Sequence, residues 1–416
     1  MGVGVCLSRS PSLVSVLTLS RLAIVTLAAS VWLRGPTSAD SMAVGQAVHS
    51  PRYVLVFGGN GFLGGATVER LLAAGHRVVT VHRGNWYWDS AFVVKPYVTH
   101  IKCDRMLSLD KCPQLLDLVN NNGSFDAVVD FSAYHPFSIK EALKVLKDKA
   151  RFYIYISTDS VYDVCDKSHA DPTRESDAVR PASEQRRQEL QAVESYGHRK
   201  LMIEEELVLQ REAGGIPFVS LRLPDVIGPK DNTYRWWIYQ LWIRLADHLE
   251  KPLAIPSFLV NKPMSLVYVN DVADVIVRLM DPKPEVFDQA FNLAFKETPT
   301  LLQLLGDMKL ALNITDLSII TDNSVNAVHM FPSVRSGPID ITKAQESLHW
   351  SPTPLETAIV ETVDFYERTM TDPYMVGPRK EIIRTMETHF TSKPLMLLQG
   401  LKKHYGLNYQ VPKEEL

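Results

Sequence analysis

The sequence predicts an α/β fold in which a doubly wound parallel sheet is followed by a smaller C-terminal part lying over its strand ends. Two observations carry the expectation. Short apolar runs rich in β-formers alternate with helical patterns up to Leu221, and the first run ends directly in a glycine-rich turn that opens a helix. Strands alternating with helices are covered on both faces, which explains why these runs are continuously apolar.

Tyr53 to Phe57 is the first strand, Gly58-Gly59-Asn60-Gly61-Phe62-Leu63-Gly64-Gly65 the turn, and 66–74 the helix. After Gly75 a second strand covers 77–81, and further runs at 97–102, 127–131, 152–157 and 218–221 recur with helical segments between. The stretch 166–194 is polar and charged, so it reads as a surface excursion with a helix over 184–193. Beyond Pro224 the pattern loosens around Tyr234-Arg235-Trp236-Trp237, with helices at about 236–249, 271–280 and 354–368. These signals divide the chain into an N-terminal segment (1–50), a dinucleotide-binding part (51–222), a substrate-binding part (223–370) interleaved with the last sheet elements, and a helical extension (371–416).

The 416 residues are 46% hydrophobic and 22% charged with a formal net charge of −3, which excludes bulk attraction to a polyanion. Cys6, Cys103, Cys112 and Cys165 show no C-x-x-C pair and no zinc-like spacing with histidine; they read as free thiols, and no metal site is expected.

Before Asp40 there is no acidic residue, while Arg9, Arg21 and Arg34 punctuate an apolar stretch densest over 22–33, too short to span a bilayer. It suits a signal peptide with Thr37 and Ala39 near a cleavage point, or a mitochondrial presequence, or an untranslated leader if synthesis starts at Met42. The closing Lys413-Glu414-Glu415-Leu416 is similar to an endoplasmic-reticulum retrieval address, which puts the secretory pathway first, with mitochondrion and cytosol as alternatives. No stable membrane span is expected in the mature protein. Asn122 and Asn313 begin N-x-S/T sequons that matter only on the secretory route.

Gly58, Gly61 and Gly64 have the spacing of a Rossmann-type turn, in which absent side chains let backbone N–H groups approach a pyrophosphate at a helix N-terminus. Such a turn can also serve packing alone. Its place after the first strand assigns it, with Asn60, Phe62 and Leu63, to a nicotinamide dinucleotide. The second strand ends at Val81-His82-Arg83-Gly84 without the carboxylate that holds a ribose 2′-hydroxyl. Arg83 is either a 2′-phosphate ligand, leaning the cofactor from NAD to NADP, or a solvated surface residue. Asp104 after the third strand accepts the adenine amino group or forms a turn, and Ser132 after the fourth joins the cofactor set.

Tyr196-Gly197-His198-Arg199-Lys200 places a phenol and an ammonium four apart, on one helix face. A phenol near pKa 10 is a poor base at neutral pH, and an adjacent ammonium favours phenolate, so Tyr196 exchanges a proton with a substrate hydroxyl. About 40 residues earlier Ile156-Ser157-Thr158-Asp159-Ser160-Val161-Tyr162 delivers a hydroxyl at a strand end.

With these pieces the chain resembles the extended short-chain dehydrogenase/reductases, the NAD-dependent epimerase/dehydratase family, over about 53–368. Further pieces are the strand from Asp126 to Ala133, Leu221-Arg222 with Gly228-Pro229, Val269-Asn270-Asp271-Val272-Ala273, Phe291-Asn292-Leu293 and Leu348-His349-Trp350-Ser351-Pro352. The resemblance implies that Thr158 polarises the substrate oxygen, that Tyr196 is the acid/base with Lys200 as its electrostatic partner, and that the chain forms a homodimer through two helices. It also implies a small-molecule substrate, a sugar or sugar derivative.

The chain departs from the family at three places. The 4,6-dehydratases follow the threonine with Asp-Glu; here Asp159 is followed by Ser160, which argues against water elimination and leaves Asp159 as proton donor or turn cap. Epimerases hold the diphosphate with an asparagine and an arginine where this chain has Asp225 and Met264, so repulsion from Asp225 is expected unless Lys262 compensates. The segments His82-Arg83-Gly84, Cys103-Asp104-Arg105 and Ile339-Asp340 are similar to a branch that includes chloroplast stem-loop-binding proteins, associated with RNA. Two classes therefore stand: an NAD(P)-dependent sugar epimerase, dehydratase or reductase, and an RNA-binding protein that retains the fold. Thr158, Tyr196 and Lys200 favour the enzyme, and net acidity without a basic stripe disfavours nucleic acid.

Overall fold

Apolar runs and intervening helices build a seven-stranded sheet whose pairings are all parallel. Its strands are β1 (Tyr53–Phe57), β2 (Arg77–His82), β3 (Thr99–Lys102), β4 (Ala127–Asp130), β5 (Tyr153–Thr158), β6 (Phe218–Leu223) and β10 (Gln289–Asn292). They lie in the order β3-β2-β1-β4-β5-β6-β10. The winding direction reverses between β1 and β4, which opens a crevice at the carboxyl ends of these strands. This is the Rossmann-type α/β architecture, with a helical C-terminal part. The computed structural model describes residues 50–408 apart from 122, 168–171, 324–326, 333 and 336. The expected targeting segment, the Asn122 sequon and the C-terminal tail lie outside the described residues.

The pleat sends alternate side chains to opposite faces. Val54, Val56, Val129, Ile154 and Val219 bury against α1 (Phe62–Ala73) and α8 (Val269–Arg278), while Leu55, Val79, Val128 and Tyr155 bury on the other face. That second face is covered by α3 (Pro113–Asn121), α4 (Pro136–Leu146) and α6 (Ser195–Glu212). Each such aliphatic side chain contributes roughly 1.5–3 kcal/mol when fully buried. The one-turn helix α2 (Ser90–Val93) and the polar α5 (Glu184–Val193), which buries only Leu190, lie along the rim. The third strand starts at Thr99 and not two residues earlier, because Lys95–Tyr97 winds into a 3₁₀ turn with Pro96 at its start.

A separate core forms in the C-terminal part around α7 (Arg235–Arg244). Trp236, Trp237, Tyr239, Leu241 and Trp242 are all fully buried, so this helix is covered on every side. Against it pack α9 (Leu301–Ala311), α11 (Leu355–Thr369), α12 (Val376–Phe390) and α13 (Pro394–Tyr405), while α10 (Thr342–Leu348) returns to the sheet. Met386, Phe390, Leu397 and Leu401 of the extension join the same core. Short pairs link the pieces: β7 (Asp225–Ile227) lies parallel to β9 (Leu266–Tyr268), and β8 (Ala254–Pro256) to β11 (Ile320–Asp322). Among the described residues no helix is long and apolar enough to cross a membrane, and no three His, Cys, Asp or Glu side chains are grouped to hold a metal.

The free-thiol reading fails at Cys103 and Cys112. They form a disulfide, with Cα atoms 5.7 Å apart, while Cys165 is free and buried and Cys6 lies outside the described residues. Their spacing of nine matches no short motif; the bridge arises because the chain leaving β3 turns back at once to start α3 on the same face.

Candidate active site

The glycine turn is shaped by two different requirements. Gly58 has φ +81°, in the left-handed region, and a Cβ on Gly64 would stand 2.2 Å from the Gly58 carbonyl oxygen, so here glycine is needed for the turn and the helix to meet. Gly61 is different: nothing lies within 4 Å of where its Cβ would be. It is the N-cap of α1 and leaves the first helical N–H groups without a side-chain cap, while Phe62, Leu63 and Gly64 of that first turn line a cavity. Positive helix-end dipole, free donors and an empty volume fit a pyrophosphate.

One cavity of about 1010 Å³ opens there. Gly58, Asn60, Gly61, Phe62, Leu63, Gly64, Arg83, Asp104, Ser132, Thr158, Asp159, Tyr196 and Lys200 all line it, so residues spread over much of the sequence converge. Asn60 ties the turn to the loop after β2 by donating to the Asn85 carbonyl at 2.7 Å. Asp104 accepts the Met106 N–H at 3.0 Å, and Asp130 accepts the Ser132 and Ala133 N–H groups at 2.9 and 3.0 Å, fixing the loop after β4. Arg83 is exposed at the cavity edge.

Tyr196 reaches Thr158 because α6 lies flush on the turn after β5. The contact needs Gly197, where a Cβ would come within 2.1 Å of the Ser160 carbonyl oxygen. Glu204, further along α6, accepts from Ser157 of β5 at 2.5 Å and from Arg222 of β6 at 2.6 Å, which clamps helix to sheet. Thr158 ends β5 with extended backbone and its hydroxyl oxygen accepts the Ser160 N–H at 3.2 Å. Burial, then Tyr134 and Asp159, push the Tyr196 phenol well above its ordinary value, while the Thr158 hydroxyl and Arg235 pull it down.

Lys200 is 2% exposed, and its ammonium donates to the carbonyls of Ile156 (2.6 Å) and Ala133 (3.3 Å), 5.9 Å from the Tyr196 ring centre. Burial lowers it to about 8, against the pull of Asp130 and Glu204. The two carbonyl anchors fix the ammonium over the rings of Tyr155, Tyr134 and Tyr196, 4.6, 5.3 and 5.9 Å from their centres. Asp159 is buried, and desolvation together with Asp225 and Asp163 drives its carboxyl well above the usual carboxylate range, against the Thr158 hydroxyl and the Ser160 N–H.

Residues 54–294 match the pattern of the NAD dependent epimerase/dehydratase family. The chain belongs to this family. It is 24% identical over 341 residues to a UDP-glucose 4-epimerase of Streptococcus mutans, spanning 72% of this chain and 91% of that protein. An epimerase from Methanothermobacter thermautotrophicus superposes with TM-score 0.61 at 17% identity, covering 77% and 93% of the two chains. A dTDP-glucose 4,6-dehydratase from Bacillus anthracis, in complex with NAD, does so with TM-score 0.58 at 17% identity over 76% and 97%. Membership makes this an NAD-dependent enzyme of the sugar-modifying oxidoreductase kind.

Within that family frame the departures take on a different weight. Met264 is 4% exposed in the C-terminal core, and neither it nor Lys262 lines the cavity. Asp225 does, but it is ion-paired with Arg235, and Arg335 also lines the cavity. The repulsion expected of Asp225 is therefore offset by a cation ten residues on, a pairing created by the turn into α7. Burial still lifts Asp225 to about 7, with Arg235 working the other way.

Sequence reasoning also missed Arg105. Its guanidinium is 6% exposed, lies 3.8 Å from the Phe57 ring centre, and donates from Nη2 to Asp130 (3.0 Å) and the Ser138 carbonyl (2.9 Å). Nε and Nη1 have no protein acceptor, although the residue lines the cavity. The sequence singled it out only as the last residue of the Cys103-Asp104-Arg105 turn and gave it no role.

Proposed function

We propose that the chain is an NAD(P)-dependent oxidoreductase of the epimerase, dehydratase or reductase type, acting at a hydroxyl or carbonyl carbon of a sugar or sugar-nucleotide-like substrate. One observation carries it: the Thr158 hydroxyl and Tyr196 phenol stand together over buried Lys200, in the same cavity as the glycine turn. A bound nicotinamide supplies hydride transfer. Thr158 orients the substrate oxygen by hydrogen bonding, and Tyr196 takes or returns its proton. Lys200 keeps a positive charge below the phenol and ties β5 to the loop after β4 through its bonds to the Ile156 and Ala133 carbonyls. Asp159, which lines the cavity beside Thr158, is placed to exchange a proton with a neighbouring substrate oxygen, and Ser160 lacks the carboxylate for water elimination, which favours epimerase or reductase over dehydratase. The test is loss of substrate-driven dinucleotide reduction in Tyr196→Phe, argued in the Discussion.

For the cofactor we propose NADP ahead of NAD, on the exposed Arg83 at the end of β2 and the missing carboxylate there. Arg83→Ala should weaken NADP by roughly 1.5–3 kcal/mol, the value of a charged hydrogen bond, and leave NAD unchanged. Equal losses for both dinucleotides, measured by calorimetry, would return Arg83 to the surface.

Asp225 gives the site a pH dependence. Its carboxyl titrates at about 7, above its unfolded value, so the proton is bound more tightly in the folded protein. Below that pH Asp225 is neutral and Arg235 is free to meet a diphosphate; above it the carboxylate holds Arg235. UDP-glucose should therefore bind several-fold more tightly at about pH 6 than at about pH 8, and Asp225→Asn should remove the difference. The linked effect on stability has the same sign: Asp225's contribution falls as pH rises through the folded value. Identical affinities at the two pH values would refute the role.

A further inference from the structure

Beside the dinucleotide cavity lies a second pocket of about 350 Å³, lined by Arg83, Lys102, Cys103, Asp104, Leu107, Lys111 and Cys112. Both sulfur-bearing residues of the bridge are therefore reachable from it, although Cys103 and Cys112 are only 4% and 5% exposed overall. Three cations, Arg83, Lys102 and Lys111, surround the disulfide, and none has a carboxylate partner among the described residues. The bridge closes the loop that carries Asp104, Arg105 and Met106, and these three line the dinucleotide cavity. Arg83, Cys103 and Asp104 line both spaces.

We propose that this pocket admits an anionic low-molecular-weight thiol, and that exchange at Cys103–Cys112 there loosens one wall of the dinucleotide cavity. The cations attract the anion and favour thiolate over thiol, the reactive form. A thiolate bonds to one sulfur of the bridge, the Cys103–Cys112 bond breaks, and the other sulfur leaves as thiolate. A second thiolate attacks the incoming sulfur of the mixed disulfide and releases the remaining cysteine. Two thiols are oxidised to one small disulfide, two electrons pass to the protein, and two protein thiols result.

The far side of the loop is held independently. Glu141 of α4 accepts from Ser108 and, at 3.0 Å, from the Leu109 N–H, and Arg105 is held by Asp130. Opening the bridge therefore frees the β3 end from the start of α3 without melting the segment. Where the thiol pool is oxidising the loop stays closed; where it is reducing the loop opens. The effect on the cofactor rests on the dinucleotide reading above.

The experiment uses the full chain, first shown by non-reducing peptide mass spectrometry to contain the bridge. Reduced glutathione and the uncharged 2-mercaptoethanol are compared for the rate at which Cys103 and Cys112 become alkylatable, in wild type and in Lys102→Ala/Lys111→Ala. Glutathione should have a rate advantage that the double variant loses. NAD, which avoids competition with a 2′-phosphate, is then titrated into oxidised protein and into reduced, alkylated protein freed of thiol. The reduced form should bind about tenfold more weakly, as if the competent loop were populated about a tenth of the time. Cys103→Ser/Cys112→Ser should match the reduced form and ignore thiol; if it does not fold, the reduced wild type decides. No bridge, no charge dependence of the rate, or equal NAD affinity in both forms overturns the proposal. NAD binding in neither form would instead refute the cofactor reading, and the rate comparison would still decide the thiol site.

Discussion

Gly61→Val is expected to abolish dinucleotide binding while the protein stays folded. Gly61 has φ −86° and ψ −175°, extended backbone that valine adopts without strain, and its Cβ would touch no protein atom. The added methyl groups enter the volume next to the free N–H groups of α1, where a pyrophosphate must sit. Valine is a poor N-cap, but the fold should lose only about 1 kcal/mol. Affinity for NAD and NADP should fall by at least about a hundredfold, roughly 2.7 kcal/mol. Gly64→Val is the contrasting control: its Cβ would collide with the Gly58 carbonyl, so it should unfold the turn and lower the melting temperature sharply. Calorimetric titration beside thermal unfolding separates the two, and undiminished affinity in Gly61→Val would mean that the turn serves packing alone.

Tyr196→Phe is expected to lower turnover by about 10²- to 10⁴-fold, the contribution of positioned acid–base catalysis, with little change in dinucleotide affinity. The residue is 37% exposed, so removing its hydroxyl leaves no core cavity, and the ring keeps its tilted contact with Tyr134 at a centroid distance of 6.4 Å. The measurement is the near-ultraviolet absorbance of reduced dinucleotide on addition of a nucleotide-sugar panel, with affinity followed in parallel. A variant that still drives reduction at the wild-type rate would remove Tyr196 from the chemistry.

Much of the sheet was legible because its strands are local patterns. The strand Tyr53–Phe57 and the helix Glu184–Val193 have the bounds expected, and the other strands shift by one to two residues at their ends, where tertiary hydrogen bonds decide how far pairing runs. Partners joined through irregular turns were harder to see. Cys103 and Cys112 fit no spacing rule, and Arg235 has no sequence mark that points it at Asp225.

By itself the sequence determined the alternation that makes a parallel sheet, the glycine turn, and the face shared by Tyr196 and Lys200, because periodicity and backbone sterics act over a few residues. Only the tertiary structure decided where the charges point. Lys200 is held by the carbonyls of Ile156 in β5 and of Ala133 in the loop after β4, and Asp225 is answered by Arg235. Arg105 is buried beneath the cavity with two donors to spare, and the C-terminal extension completes the core around α7. All but the Asp225–Arg235 pair depend on segments far apart in the chain being packed together, and burial then shifts the protonation of whatever it encloses.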